Sequence, residues 1–489
     1  MIGEAEARRA LEALGRVDYG EAFIERQRRT VVLIDAGRAE VVQSGWEAGA
    51  GILAEVAGAV GYAHGPDRPE ALLAAAATAK AVAASGGANG ARARRAPQVA
   101  AQVPAAGTGR AAYDDGGAGG AAGDAGGDAG AGAGGDGHGG VAADRAALVA
   151  ALTAAEAAAR ASDPAIVQVD LDYRDFDQHV AVFATDGRRG ADRRAGAYVK
   201  VRCAARRGGV LRTGVAMGSA SGGESPWRRL DFLAVAREAA RRAVVMLDAV
   251  PAPAGVMPVV IAGGRGGVLL HEACMHGLEA DLVGRGTSIY AGRRGDPVAS
   301  PVVTACDDPT LPGLFGSYTC DDEGVPARPT TIIAGGRLES YLCDRRFGAR
   351  LGQGSTGNGR RDSYRSLALP RMSNTVLLPG PAAPEEVIAA TRRGLYACFV
   401  AGGEADEVSG DFVFAVSEGY LIDDGRVTAP VYEATLAGNG PRVLRNIDMV
   451  AGDLAFAPGL CEKYGQYVPV GVGCPTLRVS ELVVGGTRL

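Results

Sequence analysis

The 489-residue sequence predicts an α+β protein of two domains, and three observations carry that prediction. In the first half, alanine-rich stretches with helical periodicity alternate with strand-like stretches. The segment Val250-Pro251-Ala252-Pro253 reads as a proline-marked linker. Beyond it the chain is strand-rich, with glycine turns between short apolar runs, and one helical stretch bears two histidines. The expected division is a mixed α/β domain over residues 1–250 and a β-rich domain over 251–489 that carries a distorted metal-binding helix.

Taken in order, residues 5–14 read as a helix. Residues 21–33 and 39–44 read as strands joined by the turn Asp35-Ala36-Gly37, and the glycine-interrupted apolar stretch 46–62 as further strand. Residues 69–84 form an alanine-rich helix. From 86 to about 142 the composition changes, and the tract 116–140 is almost wholly Gly, Ala and Asp. Such a tract cannot bury enough apolar surface to offset its ordering entropy, so a disordered insertion is expected, with His138 inert within it. Residues 144–161 resume as a helix. The stretches 166–172, 179–185, 197–205 and 210–217 alternate as a meander, and 231–248 is a helix. In the second domain, 257–262 is an apolar strand leading through Gly263-Gly264-Arg265-Gly266-Gly267 into the histidine helix. Further strands are expected at 330–334, 338–342, 411–416, 419–422 and 477–484. The glycine run lacks both the Lys-Ser/Thr of a P-loop and the dinucleotide spacing.

Hydrophobic residues make up 47% of the chain, enough for sizeable cores, while aromatics are only 5%. No run of eighteen apolar residues occurs, and the charged start Met1-Ile2-Gly3-Glu4 lacks an apolar signal core. A cytoplasmic protein without membrane attachment is expected. Net charge is −5 with the two signs interspersed, and no basic stripe with interleaved aromatics suggests nucleic acid as a partner. The eight cysteines are scattered without a Cys-x-x-Cys pair. A disulfide framework is therefore not expected; most cysteines read as small buried hydrophobes, with one or two left as metal ligands.

The stretch Val268-Leu269-Leu270-His271-Glu272-Ala273-Cys274-Met275-His276-Gly277-Leu278-Glu279 concentrates the chemistry. Two of only five histidines stand here, with a glutamate directly after the first. Neutral imidazoles bind zinc well, and a carboxylate beside the metal is a good general base. The interval of five rotates the second histidine by about 140° on a regular helix, away from the first. Both can meet one metal only if the helix is bent, bulged by a residue, or ends between them. The plain alternative is an amphipathic helix with two ordinary histidines. A catalytic zinc needs a third protein ligand, and Glu279, Cys274 and the distant Cys461 all qualify by residue type.

Elsewhere, Arg360 and Arg361 either bind a peptide carboxylate or hold their turn by pairing with Asp362 or another acid. Asp321-Asp322-Glu323-Gly324 reads as a solvated acidic turn, with a second cation as the alternative. Asn358, Asn374 and Asn439 are expected to set backbone conformation at turns.

Several blocks together resemble the TldD/PmbA family of metallopeptidases, and more closely its TldD branch, which retains the metal motif. Gly266 to Ala273 with His276-Gly277-Leu278-Glu279 is similar to the family's His-Glu-x-x-x-His segment. Gly357-Asn358-Gly359-Arg360-Arg361-Asp362-Ser363-Tyr364, Pro370-Arg371-Met372-Ser373-Asn374-Thr375, Gly438-Asn439-Gly440-Pro441 and Val468-Pro469-Val470-Gly471-Val472-Gly473 are similar to its other blocks. The likeness covers most of the chain outside the glycine-rich tract. It implies His271, His276 and Cys461 as ligands of a Zn2+ ion and Glu272 as general base on a zinc-bound water. It also implies an unfolded peptide substrate bound as an added β-strand. The implied partner is a metal-free sister subunit in a heterodimer, with a homodimer as the alternative. The implied roles are maturation of ribosomal peptide natural products and degradation of small unstable proteins. A reading from another class is a non-catalytic peptide-binding or scaffold subunit. The chain departs from the family pattern at Cys274 and Met275, where smaller residues are expected. It departs again at Glu462 in place of glycine and at Cys474 in place of glutamine.

Overall fold

A computed structural model describes residues 2–88, 101–102 and 138–487. The expected disordered insertion falls largely on 89–100 and 103–137, outside the described residues. The flanking helices reach further into that tract than the composition suggested.

The N-terminal half comprises α1 (Glu4–Leu14), β1 (Tyr19–Asp35), β2 (Arg38–Val56), β3 (Ala59–Pro66), α2 (Pro69–Ala88), β4 (Ala101–Gln102) and α3 (His138–Arg160). It continues with β5 (Ile166–Ala184), β6 (Arg189–Arg207), β7 (Val210–Ser221) and α4 (Phe232–Val245). His138, which composition places near the end of the glycine-rich tract, opens α3. The strands form one seven-stranded sheet in the order β4-β3-β2-β1-β5-β6-β7, antiparallel except for the β3–β4 pair. Ala36 and Gly37, with φ of 47° and 79°, close the β1–β2 hairpin in the left-handed geometry that matches strand twist.

β5 is one strand of 19 residues where two were expected. The alternation does continue through the middle, but buried positions there hold Asp175 and Asp177. Tyr173 donates to Asp175 Oδ2 at 2.8 Å and Arg193 to Asp177 at 3.0 Å, so each acid has a partner, while Asp175 Oδ1 is left without a hydrogen bond. Helices α1 and α2 cover one part of the sheet, and α3 and α4 another. Their inward faces are mostly alanine: Ala75, Ala76, Ala79 and Ala83 of α2 are fully buried against Ile52 and Ala63. Gly61 allows this approach, because a Cβ there would overlap the Ala79 carbonyl oxygen.

The proline-marked segment is not simply a linker: Val250–Pro251 pairs in parallel with the strand Arg426–Tyr432. Five strands then close into a barrel, Gly255–Ile261, Leu477–Gly485, Ala434–Asn439, Asp411–Asp423 and Arg393–Ala405, each bonded to the next and the last to the first. The stretches 411–416 and 419–422 belong to one continuous strand. A six-stranded sheet lies beside the barrel in the order Arg337–Leu338, Thr330–Ala334, Ala305–Asp307, Asn374–Leu377, Gln466–Cys474, Ala455–Lys463. The expected strand 338–342 stops at Leu338, because the Glu339 and Ser340 amides both turn onto the Ile332 carbonyl. One large core joins barrel, sheet and histidine segment.

Charged groups lace the N-terminal sheet to this second unit. Arg361 pairs with Glu21 at 2.7 Å, Arg194 with Asp322 at 2.7 Å, and Arg345 with Glu55. No helix among the described residues is long and apolar enough to cross a membrane.

Candidate metal centre

The strand Gly255–Ile261 ends in a turn at Gly264, with φ of 78°, and one α-helical turn, Gly267–Leu270, follows. The next five residues, His271–Met275, form a π-helical turn, closed by the His276 amide donating to the His271 carbonyl. A π turn holds one residue more than an α turn, so the residue five positions on returns to the same side. That is the bulge the histidine interval required. The two imidazoles lie with centroids 5.1 Å apart and planes at 87°. Gly440 lies directly under this turn, where a Cβ would overlap the Ala273 carbonyl oxygen.

The third donor comes from the edge strand Ala455–Lys463 of the six-stranded sheet. Cys461 Sγ lies 3.2 Å from His276 Nε2, and the donor atoms of His271, His276 and Cys461 all lie within 4.8 Å of one another. This is the only such three-residue group among the described residues. All three side chains are buried, and His271 Nε2 has no hydrogen-bond partner. A buried ring nitrogen without a partner is costly unless something else binds it. Two imidazoles and a thiolate are the donors zinc prefers, at bond lengths of roughly 2.0–2.3 Å.

The other two candidates face elsewhere. Cys274 Sγ donates to the Gly440 carbonyl at 3.5 Å. Glu279 Oε2 lies behind His276, 3.0 Å from Nδ1. It is held there by Lys463, whose Nζ is 2.7 Å from the same oxygen and 2.6 Å from Asp281 Oδ1. His271 is backed differently: its Nδ1 is 3.4 Å from Thr375 Oγ1, which in turn donates to Asp307 at 3.3 Å. Outer partners on Nδ1 are the usual means of aiming Nε2 at a metal. The sequence reading missed Lys463, Asp281, Thr375 and Asp307. Lys463 alone left a local signal, since a residue two positions after Cys461 shares its face of a strand.

Burial pushes the Cys461 thiol up, but the neighbouring His276, Arg371 and His271 outweigh it and hold the thiol well below its ordinary value. Burial lowers His276, yet Cys461 and Glu279 raise it well above an ordinary histidine. The surroundings thus favour a thiolate, the form that binds metal. Glu272 Oε2 is 3.3 Å from His276 Nε2, and its side chain keeps 36% of its exposure. Burial raises this carboxyl, but the hydrogen bond and charge of His276, helped by His271, bring it down to about 2. The ligand-type residues are sealed in while this carboxylate reaches solvent.

Arg360 and Arg361 are buried away from this chemistry. Arg360 donates to the carbonyls of Met372 and Pro469 at 2.6 and 2.8 Å. Arg361 donates to Glu21 and to the Asp322 carbonyl. Of the two alternatives for this pair, the geometry serves the one in which they hold structure, with Glu21 as the acid for Arg361. The acidic turn is buried, contrary to expectation: Asp321 accepts the amides of Glu323, Val325 and Gly359. The asparagines bridge loops through their side chains, Asn358 to Asp307, Asn374 to the Asp308 carbonyl and Asn439 to the Ser409 carbonyl. None of the three has a positive φ.

Residues 254–486 match the PmbA/TldA metallopeptidase C-terminal domain, 141–247 its central domain and 20–83 its domain 1. The metalloprotease TldD homolog of Haemophilus influenzae is 41% identical over 336 residues, 67% of this chain and 70% of that protein. The chain belongs to the PmbA/TldD family of metallopeptidases. The zinc metalloprotease TldD homolog of Saccharolobus solfataricus is 36% identical over 247 residues, 50% of this chain and 55% of that protein. Among solved structures, TldE from Thermococcus kodakarensis superposes with a TM-score of 0.72 at 19% identity, covering 99% of each chain. A Thermotoga maritima MSB8 protein gives 0.74 at 19% identity, covering 99% of this chain and 100% of that one. At that identity the shared property is the fold.

Proposed function

We propose that this family member is a zinc-dependent peptidase acting on extended or unfolded peptide segments. His271, His276 and Cys461 are its metal ligands and Glu272 its general base. The observation that carries the proposal is the convergence of two imidazoles and a thiolate within 4.8 Å, with His271 Nε2 otherwise unpartnered. Bound zinc supplies Lewis acidity and a water acidic enough to ionise near neutral pH. Glu272, ionised and open to solvent, accepts the proton of the attacking water and hands it to the leaving amine. The buried ligand residues keep the reaction away from bulk water on their side.

The strand Ala455–Lys463, which bears Cys461, is an edge strand with a partner on one side only among the described residues. An extended peptide added along such an edge is held by main-chain hydrogen bonds, which suits a substrate without a fold of its own. The partner, in this reading, is a metal-free subunit of the same fold in a cytoplasmic heterodimer. The fold shared with an archaeal TldE over nearly the whole chain supports it. Arg360 and Arg361 support the frame of the site and do not touch the peptide.

The test is Glu272→Ala in protein purified without chelator. Hydrolysis of an unfolded peptide should fall by roughly 10²–10⁴-fold with zinc retained. Full activity would overturn the mechanism. Absence of zinc, with no effect of His271→Ala, would instead favour the non-catalytic scaffold subunit.

A further inference from the structure

We infer that Lys463 is a positioning residue of the metal centre: through Glu279 it decides which ring nitrogen of His276 faces the metal. The inference rests on the zinc reading above. Cys461 and Lys463 alternate with exposed Glu462 on the edge strand, so both point inward. The Lys463 side chain is fully buried. Its Nζ meets Glu279 Oε2 at 2.7 Å, Asp281 Oδ1 at 2.6 Å and the Pro370 carbonyl at 3.4 Å. Those three acceptors match the three protons of an ammonium.

Asp281 has a longer second ion pair, with Arg285 at 3.9 Å, whereas the Glu279 oxygen that meets Lys463 also faces His276 Nδ1 at 3.0 Å. An ionised carboxylate can only accept, so Nδ1 must carry a proton. Nε2, on the other side of the ring, faces Cys461 at 3.2 Å and Glu272 at 3.3 Å, so the two ring nitrogens are divided between the lysine-braced carboxylate and the ligand side. Glu407, the other acid near Nδ1, is 4.0 Å away and beyond hydrogen-bond reach.

Packing alone does not require this arrangement. Replacing a buried ion cluster with apolar groups is often neutral or stabilising. His271, held by the neutral Thr375 hydroxyl at 3.4 Å, shows that an imidazole here can be placed without a buried cation. What Lys463 adds is a link between ligands: the strand that delivers the Cys461 thiolate also delivers the cation that orients His276. Seating of that strand therefore completes two ligands together.

The experiment compares Zn2+ affinity, by competition with a chromophoric chelator, and Co2+ absorption spectra for four proteins. These are the full chain, His271→Ala, Lys463→Met and the uncharged triple variant Lys463→Met/Glu279→Gln/Asp281→Asn, with Tm measured on each. Lys463→Met should lower both Tm and Zn2+ affinity. The triple variant should recover Tm, since the lysine and the two carboxylates it joins lose their charges together, while its Zn2+ affinity stays roughly 10–100-fold below the full chain and its Co2+ bands remain altered. A triple variant with the affinity and Co2+ spectrum of the full chain overturns the inference, because a purely structural role predicts that both recover. If the full chain itself takes up no Zn2+, or His271→Ala takes it up equally well, the zinc reading falls and the inference with it.

Discussion

The seven-stranded sheet and the candidate metal centre are held together by different means. In the sheet, strands of up to 19 residues carry alanine-faced helices, and cohesion is spread over many small apolar contacts. Around the candidate metal centre, ordered segments are short. One α turn, one π turn and one 3-10 turn follow in succession, and buried charges such as Lys463, Glu279 and Asp281 set positions. Between the two runs a seam of buried ion pairs, Arg361 with Glu21 and Arg194 with Asp322. Distributed packing tolerates local change in return for modest stability, whereas a site built on a few charges and one irregular turn responds to small displacements with loss of function.

The contrast is broken most directly at two buried thiols of the same unit. Cys461→Ser should weaken zinc binding by more than the roughly 10–100-fold that removing an outer partner costs, whereas Cys274→Ser should leave zinc stoichiometry unchanged. The reverse result in metal analysis would move the third donor into the histidine segment.

At the seam, Arg361→Met strands the buried Glu21 carboxylate without its cation. Denaturant unfolding should show a loss of about 3–5 kcal/mol, with zinc stoichiometry of the folded protein retained.

A smaller and sharper comparison uses one added methyl in each region. Gly61→Ala and Gly440→Ala each drive a Cβ into a backbone carbonyl, of Ala79 and of Ala273 respectively. Each should cost about 1–3 kcal/mol in unfolding. Only Gly440→Ala should also weaken zinc binding, because Ala273 lies inside the π turn. Equal zinc affinity in the two variants would mean that the turn does not depend on that close approach.

A pH-dependent comparison is available at Asp344, which caps the helix Arg345–Arg350 by accepting the Phe347 amide at 2.6 Å. Burial raises its carboxyl to about 7, against the pull of that amide and helped by the charge of Asp281. The folded state then binds the proton more tightly than the unfolded state, so stability is lost as pH rises from about 4 through 7. Asp344→Asn keeps the cap and removes this loss. Its Tm should exceed that of the parent at pH 8 and converge on it as pH falls toward about 4.

The patterns that failed in the sequence failed for identifiable reasons. Asp175 and Asp177 interrupted the apolar alternation of β5, since their partners, buried Tyr173 and exposed Arg193, answer them only in the folded sheet. Residues 339–342 looked strand-like but turn onto a carbonyl of a neighbouring strand, a contact that periodicity does not record. The acidic turn 321–323 looked solvated, because the backbone amides and arginines that satisfy it come from Gly359, Arg194 and Arg361.

By itself the sequence determined the α+β character, the course of most helices and hairpins, and the need for an irregular turn between His271 and His276. These follow from short-range rules: side-chain period, turn residues and rotation per residue. The tertiary structure alone decided that Cys461, 185 residues from His276, brings its thiol to the imidazoles while Cys274 and Glu279 do not. It alone decided that Glu279 is braced by a buried lysine, and that Arg360 meets backbone carbonyls and Arg361 meets Glu21. The reason is physical: burial, charge pairing and donor convergence are set by what lies across the core, and residues far apart in the chain meet only when the barrel, the six-stranded sheet and the histidine segment pack together.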